Sequence, residues 1–285
     1  MTERRRLIFG AGAALIAAMT ALPSTPAQAA PFLSQRMTMK RRGTLGPGGR
    51  DVILIAGLAS GPAIWNDLPA SMPGHRFHLV HIAGFAGLPV GGNASGPLLT
   101  PLVSELARYI DTQPLRAPAI IGHSMGGMLS MMLALRPTPK INRIIVVDML
   151  PEGAAMLGGT AGGIGFLAGQ LNGYLTGTKA GRQMLAQMVM QTPGAQDSDP
   201  QVIAQALTEL GQINLRPRLG SITCPMQIIY ALPNDKEMAA AQRQRYQSAY
   251  ANARSAVLTP IGPSGHMIMQ DQPEKFKTLV QKFLK

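Results

Sequence analysis

Residues 119–135 read AIIGHSMGGMLSMMLAL, and the order of residue types within them decides the fold. Ala119, Ile120 and Ile121, behind Pro118, form the short apolar run of a buried strand. GHSMGG is a tight turn, and the apolar, helix-favouring residues from Met125 onward run until Arg136 and Pro137 close them. A strand reversing this sharply into a helix puts Ser124 at the apex. Gly122 and Gly126, two residues to either side, must be small because side chains there would meet the facing strand and helix. The serine oxygen is predicted to stand clear of the sheet. The first helix amides, Met125 foremost, then aim at the same space, where the helix dipole favours negative charge. With 32 glycines in 285 residues, G-x-S-x-G arises easily by accident, so the strand before it and the helix after it carry the weight.

Working outward, residues 35–42 (QRMTMKRR) alternate in character like an edge strand. DVILIA at 51–56 is nearly all apolar, as in a strand covered on both faces. A loop, GLASGPAIWNDL, opens a helix near Ile64. HLVHI at 78–82 and IIVV at 144–147 are further strands, and 101–111 is a helix with Leu102, Leu106, Tyr109 and Ile110 on one face. Strands alternating with helices predict an α/β fold, a mostly parallel sheet flanked by helices, whose ligands bind beyond the carboxyl ends of the strands.

Between 151 and 218 the composition changes. GGTAGGIG is flexible, FLAGQLNGYL and GRQMLAQMVMQ are helical in pattern, and Asp199-Pro200 starts a helix closing at Gly211, with Val202, Ile203, Ala206, Leu207 and Leu210 on one face. This segment is a helical insertion. The alternation resumes with PMQIIYAL at 225–232, a helix over 236–251, a strand at 255–258, the loop TPIGPSGH and a closing helix opened by Pro273.

The first 29 residues have the layout of an export signal: three arginines, an apolar alanine-rich run and a small-residue cleavage site after Ala29. The arginine pair before Leu7, Ile8 and Phe9 is twin-arginine-like, and a Sec signal is the alternative. The run is short and glycine-interrupted for a bilayer span, so no stable membrane span is expected after cleavage, a retained anchor being the alternative, and the protein is expected to be periplasmic or secreted. Without the signal the net charge of +12 falls to near +10, much of it in Arg36, Lys40, Arg41, Arg42 and Arg50. No nucleic-acid module or aromatic-interleaved basic face accompanies it, so no nucleic-acid partner is expected. Cys224 is the single cysteine, which excludes an intramolecular disulfide, and it reads as a small buried residue. His75, His78 and His81 lack metal-ligand spacing, so neither metal nor cofactor is expected.

GHSMGG after a strand, a strand ending in LPND, and SGHMIMQDQPEKFKTLVQKFL near the terminus together resemble the α/β-hydrolase superfamily over about residues 36 to 285. The resemblance implies an esterase-like serine hydrolase: a core of 30–150 and 219–285, a lid of 151–218, and the chain order serine, acid, histidine as Ser124, Asp235 and His266. Asp148, which ends the fourth buried strand, is the alternative acid, since some relatives take theirs from there. Met125 N–H supplies one oxyanion donor and, by resemblance, Leu58 N–H the other. Here the chain departs from the common pattern. Ala56-Gly57 stands where relatives have His-Gly, and His81 stands where many have aspartate.

The chemistry makes the same demand independently. A serine hydroxyl needs a base, histidine suits that task near neutral pH, and a carboxylate must orient the imidazole. The expected reaction is cleavage of carboxylic esters of small or medium apolar substrates through an acyl-enzyme. Thioester, lactone, amide or diketone carbon–carbon cleavage, and a non-catalytic binding protein on the same fold, are the alternatives. His123 reads as packing behind the turn. Met156, Met184, Met188, Met190, Met267 and Met269 are either core or the lining of an acyl pocket, which Trp65 would wall.

Overall fold

The apolar runs become the centre of a seven-stranded sheet in the computed structural model, which describes residues 31–137, 140–157, 178–181 and 195–285. The strands are β1 (Met37–Arg42), β2 (Asp51–Ile55), β3 (Arg76–Ile82), β4 (Ala119–His123), β5 (Arg143–Val147), β6 (Met226–Ala231) and β7 (Ala256–Ile261), in the order β1-β3-β2-β4-β5-β6-β7. Only β1 is antiparallel, and it lies at the edge, as its charged alternation requires. The helices are α1 (Asp67–Ser71), α2 (Leu99–Thr112), α3 (Met125–Ala134), α4 (Gly153–Leu157), α5 (Pro200–Gln212), α6 (Lys236–Ala249), α7 (Ile268–Asp271) and α8 (Pro273–Leu284).

Successive side chains of each central strand feed opposite core layers. Ile53 and Ile55 of β2, Ile120 of β4 and Ile144 and Val146 of β5 pack with α2, α3 and α5; Val52, Leu54, Ile121, Ile145 and Val147 pack with Trp65, Phe276 and Val280. Both layers are apolar, which is why these strands lack the alternation of a half-exposed sheet. Trp65 is buried and stacks on Phe276 at 6.3 Å, so its ring belongs to the second core layer. Cys224 is partly buried.

Chain order reverses across β3-β2-β4, where the chain leaves β2 for one neighbour and later returns on the other side. Such a reversal opens a crevice at the carboxyl ends of the central strands. Among the described residues, four of the five non-glycine residues with positive φ lie just past strand ends on that side: Ala59 after β2, Ala86 after β3, Ser124 after β4 and Asp148 after β5. Strained backbone at about 1–3 kcal/mol per residue is concentrated where a site would be built.

The expected 151–218 insertion is described only in part. The expected signal at 1–29, the helical stretch at 166–175, residues 182–191 of the second stretch, and with them Met184, Met188 and Met190, lie outside the described residues. Helix α5 starts where Asp199 accepts hydrogen bonds from the Gln201 and Val202 amides, and its five expected apolar residues are all buried. Glu209 on its other side accepts from the Leu98 and Leu99 amides at 2.6 and 2.8 Å, capping α2 from 110 residues away. For that reason α2 begins at Leu99 rather than at residue 101.

At the opposite, amino end of the sheet, Asp51 is fully buried and accepts from Arg76 Nε, His78 Nε2 and the Arg116 amide, each at 2.6 Å, while His78 Nδ1 meets Tyr109 OH. Burial alone would raise this carboxyl, but the hydrogen bonds from His78, Arg76 and the Arg116 amide outweigh it and hold it at about 2. A folded-state value below the unfolded one of about 4 stabilises the fold above that pH, and the contribution is lost as pH falls toward 2. Asp51→Asn is expected to lose about 2 kcal/mol of unfolding free energy at neutral pH and to flatten the acid limb of stability measured by urea titration. A variant that keeps the wild-type acid limb would contradict this assignment.

Candidate active site

Strand β4 hands the chain to α3 through Ser124, whose φ of 53° and ψ of −121° place it outside both strand and helix geometry. The Ser124 amide donates to Val147 O at 2.9 Å, anchoring the turn to β5, and the Ser124 carbonyl accepts the Gly127 amide. The flanking glycines are sterically fixed. A Cβ at Gly122 would lie 2.1 Å from Gly126 O, and one at Gly126 would lie 2.3 Å from Ile55 O. Both clashes are with backbone, so neither relaxes by a side-chain rotation. Gly126→Ala is expected to cost roughly 3 kcal/mol or more and to yield little soluble protein; a melting temperature within a few degrees of wild type would refute the packing described.

His266 lies on the loop between β7 and α7, and this loop is tied at several points. Ser264 N donates to Leu232 O at 2.9 Å, and Gly265 N to Asp271 Oδ2 at 2.7 Å. His266 Nδ1 donates to Asp148 Oδ2 at 2.7 Å. With that proton on Nδ1, the neutral ring keeps its lone pair on Nε2. The imidazole is 37% exposed, whereas Asp148 is 3% exposed, so one face of the pair is open to a ligand.

Asp235, which the resemblance selected as the acid, is a correction. It is exposed, and its carboxylate accepts the Met238 amide at 2.8 Å as the N-cap of α6. The structure brings Asp148 to His266 instead. Asp148 follows β5 directly with φ of 46°, and its other oxygen accepts from the Ala231 amide and from Tyr246 OH, both at 3.0 Å. Burial by itself would raise this carboxyl. The hydrogen bond and charge of His266, then the Ala231 amide and Tyr246 hydroxyl, outweigh it and hold it below the usual carboxylate range. The group therefore stays ionised beside the imidazole at neutral pH.

Gly57 and Leu58 follow β2 at the next strand end. A Cβ at Gly57 would sit 3.0 Å from both Ser124 Cβ and His123 Nδ1, so this loop lies directly against the turn. Among the described residues neither the Leu58 amide nor the Met125 amide donates to a protein acceptor, which leaves both N–H groups for a bound oxygen. Ser198 braces the loop, accepting from the Ala86 amide at 2.8 Å and donating to Ala59 O at 3.1 Å. His81 donates from Nε2 to Phe85 O at 2.9 Å, tying the loop after β3. Met156 packs against the main core layer, and Met267 and Met269 pack with Trp65 and Phe276.

The sequence reading missed four contributors: Tyr246, Asp271, Ser198 and the bond made by His123. Only Asp271 left a trace, a carboxylate six residues beyond Gly265 in a loop-to-helix junction. Two surface clefts of about 560 and 310 Å³ lie elsewhere, the first at the amino ends of β4 and β5 around Asp111 and Lys140, the second around Trp65 and Lys277; neither includes Ser124 or His266.

The geometry agrees with what known proteins resemble this chain. A pimeloyl-[acyl-carrier protein] methyl ester esterase of Photobacterium profundum is 25% identical over 260 residues, covering 83% of this chain and 95% of that protein. One of Serratia marcescens is 24% identical over 261 residues, covering 85% and 96%. The esterase EaEST of Exiguobacterium antarcticum superposes with a TM-score of 0.66 at 18% identity, covering 88% of this chain and 97% of that one, which is a likeness of fold. The sequence relatives matched over most of the chain are methyl ester esterases, and putative carbamate hydrolases match over about a third of it. The model of the alpha/beta hydrolase family matches residues 52–278, from the first buried strand to the last helix, and the chain belongs to that family.

Proposed function

We propose that this protein is a serine esterase that cleaves carboxylic esters of small or medium apolar acids through an acyl-enzyme on Ser124. The observation that carries the reading is the 2.7 Å bond from His266 Nδ1 to buried Asp148, made by a residue whose carbonyl meets the side chain of His123, the neighbour of a serine held in the strained backbone of a strand-to-helix turn. In the first half-reaction His266 Nε2 takes the Ser124 proton as Oγ adds to the ester carbonyl. The carbonyl oxygen becomes an oxyanion between the Leu58 and Met125 amides, and Asp148 steadies the imidazolium. Collapse breaks the ester C–O bond, and His266 returns the proton to the leaving alcohol. Water, deprotonated by the same imidazole, then releases the acid and restores Ser124.

Esters lead the alternatives because the relatives that match over most of the chain are methyl ester esterases, and a methyl or other short alkyl ester of an apolar acid is the proposed substrate class. In this reading residues 195–212 border the acyl side of the site, a placement supported by the Ser198 brace and the Glu209 cap on α2. Export is part of the same proposal, on the strength of residues 1–29. N-terminal sequencing of the protein from the periplasm or medium is expected to begin at Ala30.

The test is hydrolysis of nitrophenyl and methyl esters in a series from acetate to laurate, alongside a fluorophosphonate probe. Turnover with an optimum in the series, and labelling of Ser124, are expected. Labelling without turnover of any ester moves the substrate to a thioester, lactone, amide or diketone. Absence of both turnover and label leaves a binding protein and overturns the proposal.

A further inference from the structure

We infer that His123, the residue before the serine, is a positioning residue that holds the main chain of His266 through its own imidazole N–H; this rests on the esterase reading above. His123 ends β4, opposite Val147, and is buried at 2% exposure. Its Nε2 lies 3.0 Å from the His266 carbonyl oxygen. A carbonyl only accepts, so the proton is on Nε2 and the lone pair on Nδ1. That lone pair has no partner among the described residues and faces Gly57.

A residue that only filled space would not have this form. An apolar ring of similar size would pack without stranding a buried acceptor, and burying one unpaired is costly. The compensation is a single bond, and it lands on the backbone of the one residue whose ring must reach Ser124. The bond joins the serine turn to the histidine loop across 143 positions of sequence, two segments that otherwise connect through Val147, which accepts from the Ser124 amide, and Asp148, which accepts from His266. The two imidazoles are 4.5 Å apart, tilted by 47°. A second cation at that distance would oppose the imidazolium formed during the reaction. Burial, then the charge of His266, keep His123 neutral by pushing it down to about 3; Asp148 is the facing carboxylate and acts the other way. His123 thus donates its hydrogen bond without competing for the catalytic proton.

Two variants separate positioning from packing. His123→Phe keeps the ring and removes the donor, whereas His123→Gln keeps an N–H at a similar reach. His123→Phe is expected to lower kcat by about 10- to 100-fold, the scale of a displacement of about an ångström at a reacting group, with KM nearly unchanged. His123→Gln is expected to recover most of the loss. Fluorophosphonate labelling of Ser124 slows in proportion.

An unaltered kcat in His123→Phe overturns the inference, as does an equal loss in both variants accompanied by a raised KM. Wild type that takes no label instead removes the esterase reading itself. If His123→Phe does not fold, the wild-type protein still decides by nitrogen-15 NMR of its imidazoles. His123 must stay neutral, with its proton on Nε2, across the active pH range; a charged ring or a proton on Nδ1 refutes the role.

Discussion

Ser124→Ala is expected to lower kcat by about a million-fold while leaving the fold intact, the scale on which a serine triad responds to loss of its nucleophile. Both halves follow from local structure. The hydroxyl makes no hydrogen bond among the described residues, so its removal orphans no partner. The backbone at 124 has φ of 53° and ψ of −121°, and alanine carries the same Cβ as serine, so the substitution adds no atom to the turn. Turn geometry, oxyanion amides and the histidine pair remain, and with them a small residual rate from a water attacking in place of Oγ. Melting temperature and ester hydrolysis measured together check it, since a collapsed variant would imitate the loss of rate.

Asp148→Asn is expected to lower kcat by about ten-thousand-fold, through the tautomer rather than through packing. Asp148 Oδ1 accepts two donors, the Ala231 amide and Tyr246 OH. An asparagine would keep its oxygen there and turn its NH2 toward His266 Nδ1, a donor facing a donor. The ring then moves its proton to Nε2, leaving no lone pair for the Ser124 hydroxyl. Asp235→Asn is the contrast. Asparagine caps helices nearly as well as aspartate, so the α6 cap to Met238 N survives and activity stays near wild type. If Asp235→Asn is the crippled variant and Asp148→Asn the active one, the pairing described is wrong in substance.

The choice between these two carboxylates shows what the sequence carried and what it did not. Both aspartates follow neighbouring parallel strands, β5 and β6, on the same side of the sheet, so spacing alone leaves them equivalent. The local signal was nevertheless present at Asp235. An aspartate immediately before a helix starting at Lys236 is an N-cap, and its oxygen is already engaged. At Asp148 the deciding facts are long-range, namely Tyr246 98 positions away and His266 118 away.

Elsewhere the division is similar. The buried strands, the serine turn, the α5 start at Asp199-Pro200 and the α8 start at Pro273 rest on side chains near in sequence, and each lies where the residues point. The early start of α2 depends on Glu209, and the bracing of the loops after β2 and β3 depends on Ser198. Strand β7 runs on to Ile261 through Pro260, which an edge strand tolerates because its outer N–H positions need no partner. Each of these was illegible for the same reason: the partner comes from a distant element that only the folded sheet brings near.

The most direct test of the account is intact-mass analysis of the protein quenched in acid during turnover of a slow nitrophenyl ester. The account predicts a burst of nitrophenol equal to the enzyme concentration and a mass increase of one acyl group, located by peptide mapping on Ser124 and absent from Ser124→Ala. Steady ester hydrolysis with no acylated species, or with the acyl group on another residue, would contradict it.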